Sequence, residues 1–163
     1  MFEQFELELQ KNVLNIHALN KGIELKEIEV FEKRYGMRLP KILQEWLLLH
    51  NGGELFSIPV GTCIAGILGD NQREKGTFYL EDNFNEVKRV GVPDYIFILA
   101  ITCEGNIIGF DLRRTNLNDG IVVCWDHESD ELEEEWKGLE EWLNDEMDTG
   151  SMVINYDGTE KDI

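Results

Sequence analysis

Basic residues are scarce in this chain of 163 residues, which carries 15 Lys and Arg against 33 Asp and Glu, for a formal net charge of −18. A protein that binds nucleic acid needs a basic face to neutralise phosphates. A protein that docks on an anionic membrane needs basic clusters. The composition therefore argues against both kinds of partner, and it favours a partner with a cationic surface.

Cysteine and long apolar runs are also scarce. The three cysteines, Cys63, Cys103 and Cys124, are odd in number and widely spaced, which argues against a disulfide framework. We expect them to be buried, reduced thiols. No window approaches the roughly 18 apolar residues of a membrane-spanning helix. The acidic start of the chain does not resemble a secretory signal, so a cytoplasmic location is expected.

The chain has three prolines, no internal repeat and no linker-like segment, so we expect one domain over residues 1–163. Apolar residues make up 42% of it, enough for a sizeable core. The acidic charge is uneven, because residues 126–163 contain 15 acidic and two basic residues. Most of the net charge therefore lies in the last quarter of the chain.

Helical spacing of apolar residues occurs in four segments, and it predicts helices over residues 2–18, 24–35, 40–50 and 130–148. Gly36 is expected to end the second helix in a left-handed conformation. Pro40 suits the first turn of the third helix, and Asn51-Gly52-Gly53 is expected to end it.

Short apolar runs typical of β-strands occupy the middle of the chain, at residues 55–60, 62–68, 77–80, 94–101, 106–112 and 120–125. Residues 103–106 are expected to join two of these strands in a hairpin, so the pairing should be antiparallel. Phe84, Val87 and Val90 suggest a short helix between the runs. Residues 149–163 are expected to add a short strand or to fray.

The predicted last helix has an apolar stripe, and its other faces are almost purely acidic. Like charges four residues apart repel each other in a helix, and acidic residues at its C-terminal end oppose the helix dipole. Such a helix is either a solubilising surface or a recognition surface. The stripe consists of Leu132, Trp136, Leu139, Leu143 and Met147.

An ordered motif spans the second and third predicted helices: a Glu in an amphipathic helix, then Tyr-Gly, two residues, Leu-Pro, a helix and Asn-Gly-Gly. This pattern resembles the opening of the SMI1/KNR4 family, also called the SUKH superfamily. A later part of the chain also resembles that family, in the strand Ile96–Ile101, the segment Glu104-Gly105-Asn106 and the segment Phe110-Asp111-Leu112. The order of the elements matches that of the family over about residues 24–145. The residues that carry the first motif are Glu32, Tyr35, Gly36, Leu39, Pro40, Asn51, Gly52 and Gly53.

The resemblance implies an α+β fold, with a curved antiparallel sheet packed by flanking helices. It also implies a role, because bacterial members of the family are taken to be immunity proteins that bind and neutralise a cognate toxin, often a nuclease. Fungal members are regulatory scaffolds, which makes a regulatory or scaffold module the alternative.

No pattern in the sequence indicates an enzyme, a cofactor or a metal. The histidines, His17, His50 and His127, form no two-histidine motif, and no CxxC pair is present. The glycine clusters lack the Lys-Ser/Thr of a phosphate-binding loop. Two carboxylate pairs, Glu104 with Asp111 and Asp126 with Glu128, could hold a divalent cation, which keeps a metal-dependent hydrolase as a third class of function.

We therefore expect a non-catalytic immunity protein whose partner is a toxin with a basic surface. Electrostatic complementarity would speed its association and exclude the toxin's nucleic-acid substrate. No nucleic acid, membrane, cofactor or metal is expected as a partner. The residues expected to contact the toxin are Trp125, as an aromatic anchor, with Asp126, Glu128, Asp130, Glu131 and Glu134.

Overall fold

The computed structural model describes residues 1–13, 15–57 and 61–162. It contains a seven-stranded antiparallel sheet in which each strand pairs with the next along the chain, so that the first and the last strand form the two edges. The helices are α1 (Glu3–Lys11), α2 (Leu25–Tyr35), α3 (Lys41–Leu49) and α4 (Leu139–Val153), with a 3₁₀ helix at Leu80–Phe84. The strands are β1 (Ala18–Lys21), β2 (His50–Leu55), β3 (Thr62–Ile64), β4 (Ile96–Ile101), β5 (Ile107–Thr115), β6 (Gly120–Asp126) and β7 (Glu131–Trp136).

Both faces of the sheet bury apolar residues. On β4, Phe97 and Leu99 belong to the main core together with Trp46 of α3 and Trp142 of α4. The neighbouring residues of β4 alternate to the opposite face, where a smaller cluster contains Ile96, Ile98, Ile107, Val123 and Trp125. The predicted α+β class, an antiparallel sheet packed by helices, is therefore confirmed. Within the described residues, every helix is too short or too polar to cross a membrane.

The second helix and its cap form as predicted. The side chains of Glu24 and Glu27 make a capping box at the start of α2, and Gly36 ends the helix with φ 63°. The predicted hairpin also forms, because β4 and β5 pair antiparallel from Ile96↔Asp111 to Ile101↔Ile107. Both features depend on interactions between residues that are close in sequence.

The first helix ends at Lys11 and does not continue to residue 18. Asn12 is extended, and its side-chain amide donates to the carbonyl of Glu8 at 3.0 Å. The N–H of Val13 then donates to the carbonyl of Tyr156 at 2.9 Å, which ties the chain to the C-terminal region. The last residue of the predicted helix, Ala18, instead begins the edge strand β1, which the sequence analysis did not predict.

The Asn51-Gly52-Gly53 segment lies inside β2, so the prediction that it ends α3 was wrong. Gly53 has φ 122°, and a Cβ there would stand 2.4 Å from the carbonyl oxygen of Ala18 on β1. The close approach of β1 therefore requires glycine at this position.

Two predicted elements between β3 and β4 do not form. The predicted strand over 77–80 is replaced by residues 77–79 without regular structure, and the predicted short helix is replaced by turns over residues 86–90. The 3₁₀ helix, Leu80–Phe84, lies between these two segments instead. The buried amide of Asn83 holds it against β4 by accepting from the N–H of Ile98 at 2.7 Å and donating to its carbonyl at 3.0 Å. The run predicted at 62–68 is a strand over Thr62–Ile64, and residues 58–60 of the run at 55–60 lie outside the described residues.

The prediction of an acidic helix over residues 130–148 was wrong for residues 130–138 and correct for residues 139–148, which lie in α4. The first part of this segment is β7, which pairs with β6, and α4 begins only after an extended Gly138 and continues to Val153. Leu132 pairs with Trp125, in the smaller cluster, whereas Trp136 pairs with Val122, in the main core. The two residues therefore lie on opposite faces of the sheet and do not share a helical stripe. After α4, residues 154–160 form one isolated bridge, Ile154↔Glu160.

Candidate functional site

The structure brings the predicted contact residues together in the hairpin formed by β6 and β7. We call residues 126–136 the acidic hairpin. The segment from Asp126 to Lys137 contains seven acidic residues and one basic residue. Every residue from Glu131 to Glu135 is exposed. The part of the predicted helix's charge that lies in residues 131–135 is therefore displayed on the last edge of the sheet, and the rest stays on α4.

Asp126 shapes the tip of the acidic hairpin. Its Oδ1 accepts from the N–H groups of Glu128, at 2.8 Å, and Ser129, at 2.7 Å. These backbone donors hold the pKa of Asp126 below its ordinary value. Asp130 has φ 58° and donates its N–H to the carbonyl of Asp126 at 3.0 Å. The carboxylate of Asp126 is thus used to form the turn.

Five other carboxylates of the acidic hairpin are available to a partner. Within the described part of the chain, none of them forms an ion pair or a side-chain hydrogen bond. Because these five carboxylates lie within seven consecutive residues, 128–134, they produce a strong local negative potential. They belong to Glu128, Asp130, Glu131, Glu133 and Glu134.

Trp125, the expected aromatic anchor, is only 5% exposed. It packs in the smaller cluster with Ile107 and Val123, so its ring offers little surface to a partner. Leu132, which pairs with Trp125 across the hairpin, is 41% exposed. The accessible apolar side chain at this place is therefore that of Leu132, whose exposure depends on a strand pairing that the sequence did not predict.

The negative charge of the acidic hairpin reaches buried groups beside it. Burial, together with the nearby carboxylates of Glu134 and Glu133, raises the pKa of the Cys124 thiol to about 11. Burial and the carboxylates of Asp145, Glu104 and Glu134 raise the pKa of Glu146, although its hydrogen bond from the Thr62 hydroxyl opposes the shift. Acidic residues from β7, α4 and the β4–β5 turn thus share one region.

A network of arginines positions β7, and sequence reasoning missed it. Asp111, which is fully buried, accepts from Arg113 at 2.8 and 2.9 Å and from Arg114 at 2.9 Å. Arg114 also donates to Glu135 of β7 at 2.9 Å. These arginines hold the pKa of Asp111 far below its ordinary value. Adjacent Arg residues two and three positions after a strand Asp were the available signal.

This network also removes one predicted cation site, because the carboxylate of Asp111 is occupied by two guanidinium groups and is not free to pair with Glu104. Asp126, in the second pair, is occupied by the hairpin turn. Among the described residues, no group of three or more His, Cys, Asp and Glu side chains has the arrangement of a metal site.

The three histidines each contact a different residue. His50 contacts Glu6 at 2.6 Å, His127 contacts Asn106 at 3.1 Å, and His17 accepts the N–H of Phe56 at 3.1 Å.

The prediction of three buried thiols was wrong for two of them. Cys63 and Cys103 are exposed, and Cys124 is buried.

The motif residues of α2, α3 and β2 make contacts that support the fold. Glu32 accepts the N–H of Leu39 at 2.8 Å, and the ring of Tyr35 stacks on Phe84 with centroids 4.2 Å apart. The amide of Asn51 bonds both the N–H and the carbonyl of Ile67, at 2.7 and 2.9 Å. The motif residues and the acidic hairpin belong to different elements.

A groove of about 570 Å³ lies over β1–β4, away from the acidic hairpin. Both exposed thiols, Cys63 and Cys103, line it, together with Glu54, Lys75 and Tyr79. None of the predicted contact residues lines this groove.

Comparison with known proteins supplies one relationship. The model of the SMI1 / KNR4 family (SUKH-1) matches residues 22–145. The match includes the motif of α2, α3 and β2, all of β3–β7 and the first half of α4. No curated protein matches the chain.

Proposed function

Because the chain belongs to the SMI1/KNR4 family (SUKH-1), we propose that it is a non-catalytic immunity protein that binds and neutralises a cognate toxin in the cytoplasm. This family is known to include immunity proteins. The observation that carries the proposal is the acidic hairpin, with five exposed carboxylates that have no partner among the described residues. A surface of this kind suits a toxin of opposite charge.

The acidic hairpin fits a basic partner such as a nuclease-type toxin. A nuclease holds its substrate in a basic groove, because phosphates must be neutralised. Carboxylates presented on a sheet edge attract that groove over distances of about 10 Å at moderate salt and block the access of nucleic acid. Inhibition then requires stoichiometric binding and no catalytic group on this chain.

The first experiment identifies the partner. The tagged full chain is used to capture proteins from source-cell lysate at about 50 mM and about 500 mM NaCl, a range over which exposed ion pairs weaken. We expect a basic protein at low salt and a reduced yield at high salt. Expressed alone, that protein should arrest growth, and co-expression of this chain should restore it. A captured protein that does not affect growth would favour a regulatory or scaffold module instead.

The second experiment tests the surface. The variant Glu128→Gln, Asp130→Asn, Glu131→Gln, Glu133→Gln, Glu134→Gln removes five charges and leaves Asp126 in place. A matched control removes five exposed charges elsewhere: Glu29→Gln, Asp70→Asn, Glu86→Gln, Asp94→Asn, Glu160→Gln. We expect the hairpin variant to bind the toxin at least about tenfold more weakly, mainly through slower association. Equal losses in the two variants would mean that the toxin binds elsewhere.

A further inference from the structure

The outer side of β7 has free main-chain hydrogen-bonding groups. Its inner side pairs with β6 from Glu131↔Asp126 to Trp136↔Val122. Beyond β6, the main-chain groups of Glu131–Trp136 have no hydrogen-bond partner among the described residues. Such an edge is a template for another strand, which gains main-chain hydrogen bonds by pairing with it.

The charge of β7 selects the strand that can be added. Four of its six residues are Glu and none is basic. A second copy of β7 would place Glu opposite Glu, and directly opposed like charges destabilise a strand pair. A segment rich in Lys or Arg would instead form opposite-charge pairs across the new ladder. The edge is thus protected against pairing with its own copy and open to a basic segment.

The register shows which side chains the added strand would meet. Glu134 lies on the face of Cys124, whereas Leu132 and Glu135 lie on the opposite face, with Trp125 and Val123. Glu133 is the extra residue of a bulge, because the register shifts between Cys124 and Trp125. The added strand would therefore pair in two short stretches, 131–132 and 134–136, with an apolar residue beside the exposed Leu132.

We propose that β7 binds its partner by strand addition, and that the occupant is an extended, lysine- or arginine-rich segment of a protein with an apolar residue facing Leu132. This inference rests on the proposed function, because it states how the acidic hairpin contacts the toxin. It goes further in requiring main-chain hydrogen bonds as well as charge, and this requirement separates it from simple electrostatic attraction.

The test uses the isotopically labelled full chain and three synthetic hexapeptides. The first alternates Lys and Val, the second has the same sequence with an N-methyl group on every residue, and the third has Glu in place of Lys. Methylation of every residue removes the main-chain donors of both peptide edges and leaves the charge unchanged. Binding is followed by amide chemical shifts and by hydrogen exchange of Glu131–Trp136 at about 20 mM salt, where screening is weak.

We expect the Lys-Val peptide to slow the hydrogen exchange of the β7 main-chain amides. The N-methyl peptide should bind about tenfold more weakly, as the loss of two or three main-chain hydrogen bonds requires. The Glu peptide should not bind. If the N-methyl peptide binds equally well, or if the Lys-Val peptide shifts only residues outside β7, strand addition is wrong. Absence of any binding by the Lys-Val peptide at millimolar concentration would overturn it as well.

Failure here is distinguishable from failure of the proposed function. Suppose that the toxin binds the five-charge hairpin variant more weakly, but the methylated and unmethylated peptides bind equally well. The proposal of toxin neutralisation is then supported, and the proposal of strand addition is rejected. Conversely, protection of β7 by the Lys-Val peptide supports strand addition even if the protein captured from lysate does not arrest growth, and it then assigns the edge to another basic partner.

Discussion

At the residue scale, carboxylates of this chain have contrasting environments that composition does not distinguish. Asp111 is fully buried and satisfied by two arginines. Asp126 caps a turn through two backbone N–H groups. Glu134 is exposed, and its side chain has no hydrogen-bond partner among the described residues. Removing the carboxylate of Asp111 would leave two guanidinium groups without their shared acceptor, whereas removing that of Glu134 breaks no hydrogen bond and changes only the local electrostatic potential, which also acts on Cys124 and Glu146.

His17 predicts a pH-dependent loss of stability. Burial lowers its pKa to about 4, from about 6.5 in the unfolded chain. As the pH falls from 6.5 to 4, the unfolded chain binds a proton that the native state does not, so the free energy of unfolding decreases. Because the ring is only partly buried, we expect about 1–2 kcal/mol from this group. Urea unfolding at a series of pH values measures it.

The control for this prediction is His17→Gln. It retains an acceptor for the N–H of Phe56 but does not titrate. His50, which lines a surface cleft together with His17 and contacts Glu6, is left in place in this variant. The variant should therefore lose less stability than the wild type between pH 6.5 and 4. Parallel pH profiles for the two proteins would contradict the assignment to His17.

At the element scale, two glycines act for different reasons. Gly36 ends α2 with φ 63°, and a Cβ there would meet no atom within 4 Å. Gly53 in β2 has φ 122°, and its added Cβ would collide with the backbone of β1. The first is needed for its conformation alone, and the second for both conformation and space.

Substitution by alanine separates these two roles. We expect Gly36→Ala to lower the free energy of unfolding by about 1 kcal/mol, the cost of a left-handed residue that carries a Cβ. Gly53→Ala should cost about 3 kcal/mol or more, because β1 must move as well. Urea denaturation compares the two variants with the wild type. Similar decreases in the free energy of unfolding for the two variants would mean that β1 can move away from residue 53 without loss of stability.

At the scale of the whole molecule, the net charge of −18 is the main electrostatic feature. Among the described residues, ion pairs are few relative to the 33 acidic side chains of the chain. The acidic hairpin concentrates the repulsion between carboxylates on one edge of the sheet. Screening of this repulsion by salt should favour the folded state. The same charge keeps the chain soluble and attracts cationic partners from a distance.

Salt therefore should stabilise the protein. We expect the free energy of unfolding in urea to rise by about 1–2 kcal/mol between about 20 mM and about 500 mM NaCl. The five-charge hairpin variant should gain less than the matched control variant, because its charges lie closest together. Equal gains for both variants would show that the repulsion is spread evenly over the surface.

Some features of the fold and the candidate site were predictable because short-range interactions decide them. The cap at Gly36 and the hairpin between β4 and β5 each involve residues close in sequence, and the family motif is a pattern of residue types that can be recognised directly in the sequence. The concentration of acid after residue 125 was also visible in the sequence. Charge per segment and local backbone preference need no knowledge of the rest of the chain.

Only the tertiary structure decided how that acid is displayed. Leu132 and Trp136 stand four residues apart, which fits a helix, and pairing with β6 places them on opposite faces of a strand instead. The same pairing buries Trp125 and exposes Leu132. The physical reason is that strand pairing and burial depend on partners distant in sequence, whose contacts override local periodicity.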